Sequence, residues 1–259
     1  MAESWALFDR LADQFDTVVP FFAEFAAEMV TVLDPPPGTR LLDLGTGRGA
    51  VAVVAAARGC VVTAVDAAPT MVRLLAAEHP DLDTRVMDIQ TLDLPDAGFD
   101  LATAAFVIHL VDDPAKVLGE ALRVLRPGGT VALTLPGPCD DGGRWDAFHA
   151  VVREFEPLAT GPNRPGRPVS APDLLRDAGF VELRESRIEV HLPAPHPKPC
   201  WRSQMSHGFA GFVEALSPVD AERLRERLLA ELTVMQASGG ISVDRGAIVY
   251  RATAPEHTR

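Results

Sequence analysis

The chain has 259 residues, is 47% hydrophobic and 23% charged, and carries a formal net charge of −12. This composition is that of a globular protein, and the length fits one or two domains. Because an acidic protein repels phosphate polymers and anionic lipids, the charge argues against a nucleic acid or a membrane as partner.

The cysteines and the apolar runs indicate a cytoplasmic protein. Cys60, Cys139 and Cys200 are odd in number and far apart, which argues against a disulfide framework and against a thiolate metal site. The first residues carry acids where a secretory signal would carry positive charge, and no apolar run is long enough to span a bilayer. We therefore expect a reducing compartment, no metal and no membrane span.

The N-terminal segment is amphipathic. Large apolar residues recur there at spacings of three and four, which predicts one or two helices within residues 3–33. A Pro-Pro-Pro-Gly run then ends the helical pattern. The aromatic side chains either pack against the rest of the protein or close over a site, and we expect residues 1–34 to form a helical lid. Those expected nearest to a ligand are Phe15, Phe21 and Phe22.

Short apolar strands and helices alternate in the next part of the chain. We predict strands at 40–44, 61–65, 84–87, 99–108 and 130–135, and helices at 50–58, 69–78 and 114–125. Strands that read as continuous apolar runs and alternate with helices indicate a parallel sheet covered on both faces.

The remaining sequence is richer in glycine and proline. We predict helices at 146–155, 171–178, 201–216 and 218–237, strands at 180–192 and 247–252, and a proline-rich connector at 193–199. Ser217 and Pro218 have the residue types of an N-cap and a first helical turn. We predict a single domain over residues 1–259, in which 1–34, 138–170 and 193–245 are additions to a core at 35–137.

A glycine-rich loop is the strongest local signal. Within LLDLGTGRGAV, residues 41–51, three glycines separate a predicted strand from a predicted helix. Glycines allow a tight turn and the close approach of a ligand, and the following helix N-terminus offers N–H donors. The same string alone would also suit a plain turn, but the strand–turn–helix setting favours ligand binding.

Three acids, Asp43, Asp66 and Asp88, follow or end successive predicted strands. The position of Asp66 suits a carboxylate that accepts from both hydroxyls of a ribose. Asp88 either accepts from an adenine amine, with Ile89 and Met71 against the ring, or caps loop amides. Because open α/β sheets bind ligands at the carboxyl ends of their strands, the three acids together predict one site.

A nicotinamide oxidoreductase is the first alternative. The dinucleotide fingerprint is Gly-x-Gly-x-x-Gly, whereas the third glycine here comes one residue early. Asp43 directly precedes the loop and would repel a pyrophosphate, so it suits a cationic ligand better. Both observations disfavour NAD.

With DLGTGRG at 43–49, then Asp66, Asp88 and LRPGG at 125–129, the chain resembles the class I S-adenosylmethionine-dependent methyltransferases. The resemblance covers 35–137 best and is closest to the ubiquinone/menaquinone-type small-molecule branch. It implies a Rossmann-like, seven-stranded, mostly parallel sheet with an antiparallel last strand inserted between the fifth and sixth. It also implies S-adenosylmethionine as cofactor and S-adenosylhomocysteine as product.

The resemblance implies a set of cofactor contacts. The glycine loop lies under the methionine part, Asp66 binds the ribose and Asp88 the adenine amine. Asp43 orients the loop and the amino group of the cofactor, and Ala105 and Phe106 flank the sulfonium. The full set is Asp43, Gly45, Thr46, Gly47, Gly49, Asp66, Ala67, Met71, Asp88, Ile89, Ala105 and Phe106. Thr46 stands where the family often has Cys or Ser.

Methyl transfer is an in-line displacement that needs alignment and the exclusion of water, and a base only for some nucleophiles. His109, after the fourth predicted strand, is the first candidate base, although it also suits a structural histidine. His207 is the second candidate. We expect a small apolar or aromatic acceptor with an oxygen, nitrogen or carbon nucleophile. The alternative is a protein that binds the cofactor and performs non-methylating chemistry.

Overall fold

The computed structural model describes residues 5–160, 168–194 and 196–256. The chain divides into two compact units. The core unit comprises Phe22–Gly137, Gly166–Ile188 and Ala247–Arg259, and the appended unit comprises Met1–Phe21, Pro138–Pro165 and Glu189–Gly246.

The described residues form helices and strands in alternation. The helices are α1 (Trp5–Leu11), α2 (Phe21–Leu33), α3 (Ala50–Ala57), α4 (Pro69–Glu78), α5 (Pro114–Val124), α6 (Asp146–Phe155), α7 (Ala171–Asp177), α8 (Pro197–Gln204), α9 (Phe209–Glu214) and α10 (Pro218–Ala237). The strands are β1 (Arg40–Leu44), β2 (Val61–Asp66), β3 (Asp83–Val86), β4 (Phe99–Ala105), β5 (Leu125–Gly137), β6 (Val181–Ala194) and β7 (Ile241–Thr253). Among the described helices, none is long and apolar enough to cross a bilayer.

The seven strands form one sheet in the order β3-β2-β1-β4-β5-β7-β6. The pairs β1–β2, β1–β4, β2–β3 and β4–β5 are parallel, and antiparallel strands complete the sheet. The predicted fold class is therefore confirmed, including the last strand between the fifth and sixth. Because the strand order reverses between β1 and β4, their carboxyl ends form the switch point where such sheets bind ligands.

The core unit buries the central strands on both faces. Leu41, Leu42 and Leu44 of β1 are at most 1% exposed, so each side chain contributes about 1.5–3 kcal/mol of hydrophobic stabilisation. Helix α5 begins at Pro114, and its N-cap Asp113 accepts from the Lys116 backbone N–H at 3.1 Å. These apolar strands and capped helices hold the switch point in place.

The appended unit has its own apolar cluster, formed by α6, α8, α9 and α10 together with the first part of β7. Trp145 is fully buried at its centre and donates from Nε1 to the Ser242 carbonyl at 2.8 Å. Helix α10 begins as predicted, since the Ser217 hydroxyl accepts from the Asp220 backbone N–H and Pro218 occupies the first turn. The indole thereby links α6 to β7.

Several predicted elements are wrong in their bounds. Strand β5 covers Leu125–Gly137 rather than 130–135, and β4 ends at Ala105 rather than 108. The helix predicted at 201–216 is two helices, because α8 ends at Gln204 and α9 begins only after Gly208. Helix α8 starts at Pro197, inside the predicted connector, where a proline fits the first turn because no N–H is needed there. Strand β7 begins at Ile241 rather than 247, since sheet pairing extends through a polar stretch that lacks a strand pattern.

Candidate functional site

The glycine loop connects β1 to α3 in the core unit. Gly45, Gly47 and Gly49 have φ of 68°, 55° and 82°, in the left-handed region. A Cβ at Gly45 would lie 2.5 Å from Cγ2 of Val107, and a Cβ at Gly49 would overlap Leu75. Both positions therefore require glycine by dihedral angle and by space.

Asp43 is buried at the end of β1 and is 2% exposed. Its two oxygens accept from the hydroxyls of Thr46 at 2.7 Å and Thr103 at 2.8 Å. Burial raises the pKa of the Asp43 carboxyl to about 6, although both hydroxyls favour the ionised form. The carboxylate thus joins the glycine loop to β4, which fits the predicted orienting role.

Asp66 at the end of β2 is tied to the same loop. Its Oδ2 accepts from the Gly47 backbone N–H and its Oδ1 from the Ala68 backbone N–H, both at 2.8 Å. The Thr46 N–H donates to the Val65 carbonyl at 3.0 Å. Direct hydrogen bonds therefore connect Asp66, the residue predicted to bind the ribose, to the glycine loop. Beyond Asp66, Ala67 is half-buried and Met71 of α4 is fully buried.

Asp88 lies outside this network, in an exposed turn after β3. Its Oδ1 accepts from the Gln90 backbone N–H at 2.9 Å and from the Gln90 side-chain amide at 3.2 Å. Asp88 therefore caps a loop amide, which is one of the two roles that the sequence allowed. The neighbouring Ile89 is buried. The adenine role of Asp88 stays a prediction.

The end of β4 carries backbone strain. Phe106 has φ of 53°, an unfavourable conformation for a bulky residue, and its N–H donates to the Thr134 hydroxyl at 3.0 Å. Its ring makes edge contacts with Phe22 at 5.8 Å and Phe25 at 5.1 Å, both on α2. Such strain is concentrated at functional sites. Here it falls on Phe106, one of the two residues predicted to flank the sulfonium.

His109 lies in the turn that follows Phe106. Its Nδ1 is buried and, among the described residues, has no hydrogen-bond partner. Burial lowers the pKa of the imidazole, so the ring is neutral near pH 7. A neutral ring with an unpaired nitrogen can accept a proton or a hydrogen bond.

His207 belongs to the appended unit, between α8 and α9. Its ring lies 5.8 Å from that of Phe21. Burial, aided by the positive charge of Arg245, lowers the pKa of His207 to about 4. The neighbouring aromatics Trp201, Phe209 and Phe212 lie in the same cluster, with Phe209 in ring contact with the other two. A substrate-contacting role and a packing role both suit these aromatics.

Sequence reasoning missed two residues of the core-unit site. The Thr103 hydroxyl donates to Asp43, and the Thr134 hydroxyl accepts from the Phe106 backbone N–H. Phe25, one of the N-terminal aromatics predicted either to pack or to close over a site, packs against Phe106. A hydroxyl in an otherwise apolar buried strand was the signal available for both threonines, because a buried polar group needs a partner.

Comparisons with known proteins identify the family. The Methyltransferase domain family matches residues 42–133. The nocamycin O-methyltransferase of Saccharothrix syringae is 34% identical over 91% of this chain and 93% of that protein. The chain belongs to the class I S-adenosylmethionine-dependent methyltransferases. The resemblance inferred from the sequence is confirmed.

Two further comparisons agree with this family. The aklanonic acid methyltransferase of Streptomyces sp. (strain C5) is 32% identical over 58% of this chain and 70% of that protein. The YcgJ protein from Bacillus subtilis has the same fold, with a TM-score of 0.59, 16% identity, and coverage of 90% of this chain and 100% of that one. This methyltransferase uses S-adenosylmethionine and acts on small molecules, and the non-methylating alternative is not favoured.

Proposed function

We propose that this methyltransferase transfers the methyl group to an oxygen of a small, largely apolar metabolite. The O-methyltransferase relative that spans nearly the whole chain supports the oxygen nucleophile. The name of a second relative specifies an acid as the molecule acted on. The observation that carries the methyl-transfer part of the proposal is the network at the switch point, where Asp43 and Asp66 both bind the glycine loop that is assigned to the cofactor.

The residues at this edge fit the cofactor. The left-handed loop gives close backbone access, and the acids around it suit a ligand that carries a sulfonium and an ammonium group. We assign the loop from Gly45 to Gly49, with Asp43 behind it, to the methionine part. Asp66 and Ala67 are assigned to the ribose, Met71, Asp88 and Ile89 to the adenine, and Ala105 and Phe106 to the sulfonium region.

When bound, the cofactor supplies an electrophilic methyl group on a positively charged sulfur. The chain then has to align the acceptor and exclude water. The rings of Phe22 and Phe106 present apolar faces that exclude water and can stabilise a nearby cation, and the buried Phe25 supports the Phe106 ring. The neutral His109 accepts the proton of an acceptor hydroxyl at its unpaired Nδ1. His207, also neutral, is the second candidate.

The test begins with binding. We expect calorimetry to detect S-adenosylmethionine and S-adenosylhomocysteine and no NAD. Asp66→Asn should weaken binding of the homocysteine product by about 1.5–3 kcal/mol, since a charge-assisted hydrogen bond is lost. Asp81→Asn, an exposed acid, is the matched control. Unchanged affinity in Asp66→Asn would remove the ribose assignment.

The reaction itself is tested by product analysis. Methylated product from a panel of hydroxylated and carboxylated aromatics, detected by mass spectrometry with S-adenosylhomocysteine released in equal amount, supports O-methylation. Transfer only to amines or carbons, or cofactor-dependent conversion without methyl transfer, would overturn it.

We also propose a cytoplasmic location, a single domain, and no nucleic-acid partner. Three free cysteines and the net charge of −12 support the first and the last. The continuous strands β6 and β7, which each contribute residues to both units, support the single domain.

A further inference from the structure

A thiol, a carboxylate and an imidazole converge within the appended unit, and the proposed chemistry uses none of them. Cys139 follows β5, whereas Glu189 and His191 lie on β6. The Cys139 Sγ and the His191 Nε2 each lie 3.7 Å from Oε2 of Glu189. One ligand atom from each residue lies within 4.8 Å of the other two. The cluster is therefore compact enough for one small ion to contact all three side chains.

The backbone explains why residues distant in sequence meet here. Glu189 and His191 are two positions apart on β6, so their side chains leave the same face of the strand. The segment that carries Cys139 lies directly against Gly246 of β7, where a Cβ would overlap the carbonyl that precedes Cys139. The Asp140 backbone N–H donates to Oε2 of Glu189 at 3.4 Å. The thiol is thus held beside β6 by main-chain contacts.

A buried carboxylate orients the imidazole. Nδ1 of His191 lies 2.8 Å from Oδ1 of Asp244, whose side chain is 1% exposed. Asp244 is itself held by the Ser242 hydroxyl, which donates at 2.6 Å, and by Arg144. Because a carboxylate only accepts, Nδ1 carries the hydrogen, and Nε2 of the neutral ring presents its lone pair toward Glu189. This carboxylate–imidazole pair is the arrangement that fixes metal-binding histidines.

The donor set and its spacing select the ion. Thiolate, imidazole and carboxylate are the ligands that Zn²⁺ takes in proteins, whereas Ca²⁺ and Mg²⁺ take oxygen ligands. With metal–ligand bonds of about 2.0–2.3 Å, the ligand atoms of a tetrahedral Zn²⁺ site lie roughly 3.3–3.8 Å apart. The two separations of 3.7 Å match this spacing.

The local charge also favours a cation. Among the described residues, no lysine or arginine forms an ion pair with Glu189. Asp140 and Asp141 follow Cys139 in the chain and add negative charge beside it. The wide spacing of the cysteines argues against a site built of several thiolates, whereas this cluster contains one.

We propose that Cys139, Glu189 and His191 bind one Zn²⁺ ion, with Asp244 as a positioning residue behind the imidazole. On binding, the Cys139 thiol releases its proton to solvent, and the thiolate sulfur, the imidazole Nε2 and a carboxylate oxygen each donate an electron pair to the ion. Water completes the fourth coordination position. The ion joins the segment after β5 to β6 and stabilises the appended unit.

The test is calorimetry of Zn²⁺ binding to the full chain, without a polyhistidine tag because such a tag binds the same ion. We expect one equivalent of Zn²⁺ with a Kd in the micromolar range or below. Asp244→Asn should weaken binding by about 10–100-fold, the effect of losing an outer hydrogen-bond partner of a ligand. Cys139→Ala and His191→Gln each remove a ligand and should weaken binding further.

Matched controls separate this site from other thiols and imidazoles. Cys60→Ala in the core unit and His196→Gln, an exposed histidine of the appended unit, should bind Zn²⁺ as the wild type does. All variants should bind S-adenosylhomocysteine with unchanged affinity, which shows that they are folded.

Two measurements on the wild type cover the case in which a variant does not fold. Co²⁺ in place of Zn²⁺ should give a thiolate-to-metal charge-transfer band together with the strong visible bands of a tetrahedral ion. Zn²⁺ should also slow the alkylation of Cys139 by iodoacetamide, located by peptide mass spectrometry.

The inference is overturned if the wild type binds no equivalent of Zn²⁺, or if Cys139→Ala and His191→Gln bind it as tightly as the wild type. A Co²⁺ spectrum without the thiolate band, or alkylation of Cys139 at an unchanged rate, would also overturn it. Because Zn²⁺ binding is measured without S-adenosylmethionine, neither result bears on the proposed methyl transfer.

Discussion

Asp43 combines burial, charge and loop geometry in one side chain. It holds Thr46 of the glycine loop and Thr103 of β4 at once. The position of the acid at this strand end was predicted from the sequence, because a strand–turn–helix pattern with a glycine-rich turn can be recognised locally. Its two hydroxyl partners come from tertiary packing, which no local pattern encodes.

The first residue-scale prediction concerns stability against pH. Because the folded pKa of Asp43 is raised from 3.8 to about 6, the carboxyl favours folding below pH 4 and this contribution is lost as pH rises to 6. The free energy of unfolding of the wild type relative to Asp43→Asn should therefore fall across this window, by on the order of 3 kcal/mol at most. Urea unfolding of both proteins at pH 4, 5, 6 and 7 measures the difference. A difference that is constant with pH would contradict the assignment.

The second residue-scale prediction separates the two histidines. A general base must be neutral, so the rate rises with pH through its pKa. For His109 this rise lies below the usual value of 6.5, and for His207 it lies near pH 4. His109→Gln should lower kcat by about a hundredfold and abolish the rise, whereas His79→Gln, at a partly exposed position after α4, should change neither. A full rate in His109→Gln with the rise near pH 4 would assign the base to His207.

At the scale of elements, α2 and the end of β4 form one aromatic contact in the core unit. Phe25 is 2% exposed, whereas Phe22 is half-buried, and both meet the strained Phe106. Periodicity predicted the apolar face of α2. The positive φ of Phe106 could not be predicted, because it depends on hydrogen bonds to Thr134 in a neighbouring strand.

The element-scale prediction is that two phenylalanines of α2 differ in role, Phe25 in stability and Phe22 in function. Phe25→Ala should reduce the free energy of unfolding by about 3–5 kcal/mol, the range for emptying a buried aromatic site. Phe22→Ala should cost less than half as much and instead weaken binding of S-adenosylmethionine or slow methyl transfer. Urea denaturation and calorimetry on both variants provide the comparison. Equal stability losses with unchanged binding would make Phe22 a packing residue alone.

Element bounds follow the same division between local and tertiary causes. The bounds of α6 and α10 were predicted to the residue, since turn residues or a capped serine–proline start define them locally. The break between α8 and α9 was missed because Trp201, Met205 and Phe209 keep a helical spacing of four across it. There the Ser206 hydroxyl donates to the Ser203 carbonyl at 2.8 Å, and Gly208 starts the next helix.

At the scale of the whole molecule, the appended unit is built from three separate segments of the chain. One of these segments follows β5 in the chain, and another runs from the end of β6 to the start of β7. The glycine and proline content marked these segments as additions. The contact of the Arg245 guanidinium with the Trp145 ring, at 4.5 Å, could not be predicted, because the two residues are far apart in the sequence.

The whole-molecule prediction is that the two units unfold together. Trp5, Trp145 and Trp201 all belong to the appended unit, so tryptophan fluorescence reports on that unit, whereas far-UV circular dichroism reports on both. The cofactor contacts that we assign lie in the core unit. S-adenosylhomocysteine at about 100 times its Kd should stabilise the folded state by about 2.7 kcal/mol. In a single cooperative domain both signals shift equally in urea, and Asp66→Asn reduces both shifts at the same ligand concentration. A dichroism transition that shifts while the fluorescence transition stays in place would instead establish two independently folding domains.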